Sequence, residues 1–272
     1  MNTEVLRLDQ LLAQRGLAPS RERAQALILA GRVRVEGTRV DKAGTRVASS
    51  AAVDVLSDPN PFVSRGGIKL AAALKSFAVN PSGWTVLDVG ASTGGFTDCL
   101  LKAGATTVVA LDVGHGQLDW SLRQDPRVLV VERCNARELT PQRLEQEATD
   151  WNGHLDLAVV DVSFISLDLI LPALASFPVL QRIISLVKPQ FEAGRRQVGR
   201  GGIVRDPAIH AQVLRTFARQ AATHGWQPIR MIPSPVTGAQ GNREFLVDLI
   251  REDGAASPDY LASVDAMERN PS

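Results

Sequence analysis

The residues best suited to chemistry cluster in the middle of the chain. TVLDVGASTGGFTD, residues 85–98, runs three β-formers, Val86, Leu87 and Val89, into a loop holding Gly90, Ser92, Gly94 and Gly95, and the pattern from Phe96 onward is helical. Small residues in such a turn admit a ligand close to the backbone, and the unpaired amides of the helix start suit polar or anionic groups. A second apolar strand, TTVVALD, ends in Asp112, 22 residues beyond Gly90, the distance at which an acidic residue reaches the ribose hydroxyls of a bound nucleoside. A third strand lies in RVLVVERCNA, with Asn135 just past its end, where an amide can hydrogen-bond an adenine edge. The fourth and fifth, HLDLAVVDVSF and RIISLVKPQF, end near Asp161 and Lys188. Asp112, Asn135, Asp161 and Lys188 thus all fall at the carboxyl ends of strands, where an open parallel sheet binds its ligand.

The elements that must position these groups alternate strand and helix, the pattern of an α/β parallel sheet covered on both faces. A helix is expected from Leu167 to Ser176, and a long one from Asp206 to His224 with Ala211, Val213, Leu214, Phe217 and Ala218 inside. His210 and His224 then read as packing or surface residues. EAGRRQVGRGGIVRD, with Arg195, Arg196, Arg200 and Arg205, reads as a polar loop able to close over a phosphodiester. WQPIRMIPSPVTGAQGNREFLVDLIR reads as two antiparallel strands, unlike the continued winding of a dinucleotide dehydrogenase. Upstream, VSRGGIKLAAALKSF predicts a helix through Leu70, Ala73, Leu74 and Phe77; Lys69 near its start has no assigned role from spacing alone.

The first sixty residues have another character. Leu8, Leu11 and Leu12 predict a helix stopped at Gly16, Ser20 caps a second from Arg21 to Ala30, and Val33, Val35, Val40, Val53 and Val55 alternate as short strands. Residues 1–65 hold 10 Lys+Arg against 7 Asp+Glu, whereas the remainder holds 20 against 22. Arg7, Arg21, Arg23, Arg32, Arg34, Arg39, Lys42 and Arg46 crowd this small unit, which suits either a solvated face or phosphate contacts. The stretch from Arg7 to Gly44 resembles the S4 RNA-binding domain, and the resemblance implies RNA contacts at Arg7, Ser20, Arg21 and Lys42. The expected organisation is an S4-like domain at 1–58, a linker at 59–64 marked by Pro59 and Pro61, a catalytic domain at 65–252, and a disordered tail at 253–272.

Composition bounds the rest. The chain has 272 residues, a net charge of +1, 44% hydrophobic and 22% charged residues, ordinary for a soluble globule. It contains no apolar run of roughly 18 residues and no apolar signal core, so a cytoplasmic location is expected and a pore-forming protein is disfavoured. Cys99 and Cys134 lack metal-ligand or disulfide spacing and read as buried thiols; no metal is expected.

Behind the S4-like start, VSRGGIKL, DVGASTGGFTD, DVSFISL, VKPQFE and SPVTGAQGNREFL follow in order. Together they resemble the TlyA family, known in older descriptions as haemolysin A and understood as ribosomal RNA (cytidine-2′-O)-methyltransferases. The second domain is also similar to the FtsJ-like heat-shock RNA methyltransferases, which use a Lys-Asp-Lys-Glu tetrad. Matched motif by motif, the resemblance implies Lys69, Asp161, Lys188 and Glu244 as that tetrad. It implies S-adenosylmethionine as cofactor, held by Gly90, Ser92, Gly94, Gly95 and Phe96 around its methionine end and by Asp112 and Asn135 around its nucleoside. The implied fold is Rossmann-like, a mostly parallel seven-stranded sheet closed by an antiparallel hairpin, and the implied partner is ribosomal RNA in a ribosomal subunit. A non-catalytic RNA-binding protein is the main alternative; the glycine loop and the four tetrad positions speak against it.

Overall fold

The computed structural model describes residues 4–18, 20–56, 60–194, 197–238, 240–252 and 254–269. Pro59, Arg195 and Arg196 of the readings above lie outside them. The chain divides into two units, residues 1–61 and 62–272.

In the first unit, β1 (Val5–Arg7) leads directly into α1 (Leu8–Gln14), and α2 (Arg21–Leu29) follows a short turn. Ser20 caps α2, its Oγ accepting from the Arg23 amide at 3.2 Å. Next come β2 (Val33–Val35), β3 (Thr38–Val40), β4 (Arg46–Ala48) and β5 (Val53–Val55). β2 pairs antiparallel with β3 and β5, and β4 returns to pair with β1. Leu8, Leu11 and Leu12 of α1 and Ala24, Leu27 and Ile28 of α2 close one core with Val33 and Val47. The β1–β4 pair escapes periodicity because three residues show too few alternations.

The second unit opens with α3 (Arg65–Ser76), β6 (Thr85–Val89), α4 (Gly95–Lys102) and β7 (Thr107–Leu111). Then come α5 (Trp120–Arg123), β8 (Val128–Val131), α6 (Pro141–Glu147), β9 (Leu157–Val160), α7 (Leu171–Ala175) and β10 (Arg182–Val187). The chain ends with α8 (Pro189–Glu192), α9 (Pro207–Thr223), β11 (Trp226–Pro233), β12 (Phe245–Arg251) and α10 (Pro258–Arg269). The seven strands lie in the order β11-β12-β10-β9-β6-β7-β8. β8, β7, β6, β9 and β10 are parallel; β12 is inserted antiparallel between β10 and β11. The strand order reverses between β6 and β9, which makes their carboxyl ends the expected crevice.

Alternate residues of the strands feed two cores. Val86, Val108, Leu157, Val159, Ile184 and Leu186 pack with Leu70 of α3, Phe77 just past its end and Leu100 of α4. Leu87, Val89, Val109, Val160, Ile183 and Val247 face Phe177, Phe217, Trp226 and Tyr260 on the other side. Both faces are covered, hence the near-continuous apolar strands.

Three expectations are corrected. Residues 62–64 belong to the second unit rather than to a linker: the Val63 amide donates to Asp98 Oδ2 at 2.9 Å, and the Phe62 ring packs so closely on Gly67 that a Cβ there would meet it at 2.2 Å. The helix expected over Leu167–Ser176 is a 3-10 turn, Leu167–Leu169, followed by α7, with Pro172 in the first turn of α7 lacking the N–H that a continuous helix requires. The tail expected to be disordered carries α10. Tyr260, Val264 and Met267, spaced four and three apart, form a buried stripe. Tyr260 Oη donates to the Leu214 carbonyl at 2.8 Å, and Arg215 pairs with Asp265 and Glu268 at 2.6 and 2.7 Å. No helix among the described residues is long and apolar enough to cross a membrane.

Candidate active site

The loop between β6 and α4 is shaped by its backbone. Gly90, at φ +86°, donates to the Leu111 carbonyl at 2.8 Å, and a Cβ on it would meet the Asp161 carbonyl oxygen at 2.7 Å. Only glycine lets β6 and β9 approach this closely at the switch point. Gly94 is the left-handed N-cap of α4, packed on Leu118 and Leu122 away from the cleft. Gly95 faces Ser64 and Gly67, where α3 and α4 meet. Ser92 and Phe96 line the cleft.

Two cavities open here, of about 620 and 490 Å³, and they share Gly90, Ser92, Asp161, Ser163 and Phe164. The smaller is walled by Leu111, Val113, Cys134, Ala136, Ile165 and Ile170, with Asp112 and Asn135 at its margin. Asp112 Oδ2 accepts from the Ser92 amide at 2.8 Å and Oδ1 from the Gly114 amide at 2.6 Å. A carboxylate has about four acceptor sites, so two remain for a diol while the amides fix its orientation. An apolar slot with a held carboxylate at its margin fits a nucleoside. The Asn135 side chain is engaged in capping the turn at Ala136–Glu138, its Oδ1 accepting from the Arg137 amide at 3.2 Å.

The larger cavity holds two ion pairs. Lys188, at the end of β10, places Nζ 2.6 Å from Asp161 Oδ1 and donates to Ser163 Oγ at 2.8 Å. Lys69, on the cleft side of α3, lies 2.5 Å from Glu244 Oε2, just ahead of β12. The lysine side chains are only 9% and 10% exposed, so both cations depend on their carboxylates. Gly238 makes room for one of these: a Cβ there would meet Glu244 Oε1 at 2.4 Å. All four residues assigned through the resemblance therefore line one cavity, which also contains Gly90 and Phe96.

Several residues here went unread in the sequence. Asp88 is fully buried under the glycine loop, with Oδ2 accepting from Thr97 Oγ1 at 2.6 Å. Burial, with Asp161 and Asp112 adding to it, pushes its carboxyl up to about 7. Its signal was one carboxylate inside an otherwise apolar strand. Glu192 ties the loop after β9 to α8, accepting from Ser166 Oγ at 2.7 Å and the Leu167 amide at 2.8 Å. Asn242 holds the glycine-rich loop beside the cleft, accepting from the Val204 amide and donating to the Gly202 carbonyl, each at 2.9 Å. Buried His210 donates through Nε2 to the Val204 carbonyl at 3.0 Å and is a packing residue as expected. Cys99 and Cys134 are free and buried.

In the first unit, Arg7 and Arg21 both reach buried Asp9. Ser20 precedes Arg21 as the cap of α2, and exposed Lys42 lies in a turn whose carbonyl accepts from the Thr45 amide at 3.0 Å.

The FtsJ-like methyltransferase model matches residues 62–251, and the S4 domain model residues 6–53. The chain is 48% identical to the 16S/23S rRNA (cytidine-2′-O)-methyltransferase TlyA of Mycobacterium tuberculosis, over 97% of this chain and 96% of that one. It is 39% identical to Hemolysin A of Brachyspira hyodysenteriae, over 90% of this chain and 100% of that one. A solved structure described as a hemolysin, from Streptococcus thermophilus, superposes with a TM-score of 0.75 at 40% identity, covering 98% of this chain and 95% of the other. The crevice at the strand-order reversal, the glycine loop beside it and these matches converge: the chain belongs to the FtsJ-like methyltransferase family and carries an S4 domain ahead of its catalytic domain.

Proposed function

We propose that the protein methylates the ribose 2′-oxygen of a cytidine in ribosomal RNA with S-adenosylmethionine as donor, in the cytoplasm where ribosomal subunits are its partner. The observation that carries the reading is the meeting of two Lys–carboxylate pairs with buried ammonium groups, Lys188–Asp161 and Lys69–Glu244, in a cavity that shares its glycine-loop wall with a nucleoside-sized slot. The names of close relatives support the substrate.

When bound, S-adenosylmethionine supplies an activated methyl group on a sulfonium. Asp112 holds the ribose of the nucleoside half, and the apolar walls around Val113 and Ile165 take the adenine. Ser92, Gly95 and Phe96 flank the other half, from the wall of the larger cavity. A ribose hydroxyl is a weak nucleophile that must lose its proton as its oxygen attacks. Lys188 Nζ is the group to act on it, taking the proton when neutral or stabilising the developing alkoxide when charged. Asp161 and Ser163 fix the position of that nitrogen. Lys69, held by Glu244, presents a second cation to the target nucleotide. Little rearrangement is then needed at the moment of reaction, because Asp161, Ser163 and Glu244 already orient the two ammonium groups.

The test is transfer of labelled methyl from S-adenosylmethionine to purified ribosomal subunits from a strain lacking this gene, with wild type and Lys188→Ala compared. Label in RNA with wild type alone, at a 2′-O-methylated cytidine, supports the reading. Absence of label from a protein that still binds subunits would favour a binding role.

A further inference from the structure

Asp9 lies in the first turn of α1 with no exposed surface. A buried carboxylate is costly unless its acceptor sites are filled. Here Arg7 donates through Nε to Oδ1 at 3.0 Å and through Nη2 to Oδ2 at 3.1 Å. Arg21 donates through Nε to Oδ2 at 2.9 Å, Gln25 through Nε2 to Oδ2 at 2.8 Å, and the Gln10 amide to Oδ1 at 3.1 Å. The Arg7 hydrogen bonds are the largest influence holding this carboxyl well below the usual carboxylate range, with Gln25 and Arg21 adding to them against the cost of burial.

The same carboxylate draws together the residues assigned to RNA. Arg7 lies against Gly44, with Nη1 3.3 Å from where a Cβ would stand, in the turn that also carries Lys42. The Asp9 amide donates to the Ala43 carbonyl of that turn at 3.2 Å. Arg21 begins α2 directly after Ser20, at a helix end where a cation is disfavoured, and Asp9 supplies the missing counter-charge. Yet Arg7 and Arg21 are 43% and 45% exposed, and each guanidinium has five donors, of which Asp9 engages two and one.

We propose that Asp9 is a positioning residue for RNA, holding Arg7 and Arg21 in one fixed geometry whose outer N–H groups receive phosphate oxygens. The proposal rests on the reading of the S4 unit as the RNA-holding part of the protein. Its cost is electrostatic: Asp9 cancels one of the two positive charges it orders, which by itself weakens attraction to RNA. Its gain is that two long side chains meet the phosphates already ordered. The two effects have opposite signs, so an isosteric neutral replacement separates them.

Binding of the full-length chain to purified ribosomal subunits would be measured for wild type, Asp9→Asn, Arg7→Ala/Arg21→Ala and the triple variant, with circular dichroism and thermal melting on each. The expected result is about tenfold weaker binding by Asp9→Asn, a loss of about 1.4 kcal/mol, and a triple variant no weaker than the double. Tighter or unchanged binding by Asp9→Asn, or a further loss in the triple variant, overturns the proposal. Wild-type binding by Arg7→Ala/Arg21→Ala overturns the RNA-holding reading itself, and the proposal with it. Should Asp9→Asn fail to fold, nitrogen-15 NMR of the wild type decides. Arg7 and Arg21 Nε–H signals that exchange slowly before RNA is added support the proposal; signals averaged with solvent until RNA is added overturn it.

Discussion

Glu244→Gln removes the charge facing Lys69 while keeping the shape of the side chain. The pair stands at 2.5 Å with side chains 3% and 10% exposed. At an effective dielectric of about 20 the attraction at that separation is about 7 kcal/mol, and removing each ion from water costs several kcal/mol. The intact pair is therefore close to break-even, whereas the substitution leaves an ammonium group with its desolvation uncompensated. The expected loss is about 3 kcal/mol, the low end for breaking a buried pair, or roughly 6–12 °C in melting temperature for a unit of this size. Lys69→Met/Glu244→Gln should recover most of that stability, because no lone ion remains, while methyl transfer stays as low as in the single variant. Thermal melts and labelled methyl transfer on the same preparations report the two quantities separately. A Glu244→Gln protein that melts with the wild type refutes the reasoning, as does a double variant less stable than the single one.

Lys188→Met should lower the rate of methyl transfer by about 10²–10⁴ with cofactor affinity within a few-fold of wild type, measured by single-turnover transfer and calorimetric titration. Asp112→Ala should weaken binding of S-adenosylmethionine by about 1.5–3 kcal/mol, the worth of hydrogen bonds to a charged group, with subunit binding unchanged. Asp88 gives a pH dependence whose sign follows from its raised carboxyl: the folded chain keeps a proton that the unfolded chain releases near pH 4, so stability falls as pH rises from there to about 7. Asp88→Asn should therefore match the wild type in acid and gain about 1.4 kcal/mol for each pH unit across that interval, read from denaturant midpoints at several pH values. Tyr260→Phe, which removes the hydroxyl donor to the Leu214 carbonyl, should cost about 1 kcal/mol in the same assay.

What could be read along the chain was what is local in it. The glycine loop, the strand ends at Asp112, Asp161 and Lys188, the Ser20 cap and the final antiparallel pair follow from spacing and residue type, because backbone propensity and one-face burial act over a few residues. The helix at Pro258–Arg269 runs against the expected disorder: Tyr260, Val264 and Met267 stand at helical spacing, but the stability of so short a stretch comes from α9 and β11, which only folding brings alongside. Lys69 and Glu244 are 175 positions apart, and spacing gave neither a role; their assignment rested on the resemblance. The insertion of β12 between β10 and β11 sets Glu244 beside α3, and no local rule contains that strand order. Asp9 in sequence is one acid among many basic residues. Folding made it the shared acceptor of Arg7, Arg21 and Gln25, because a carboxylate taken from water needs donors from every element around it.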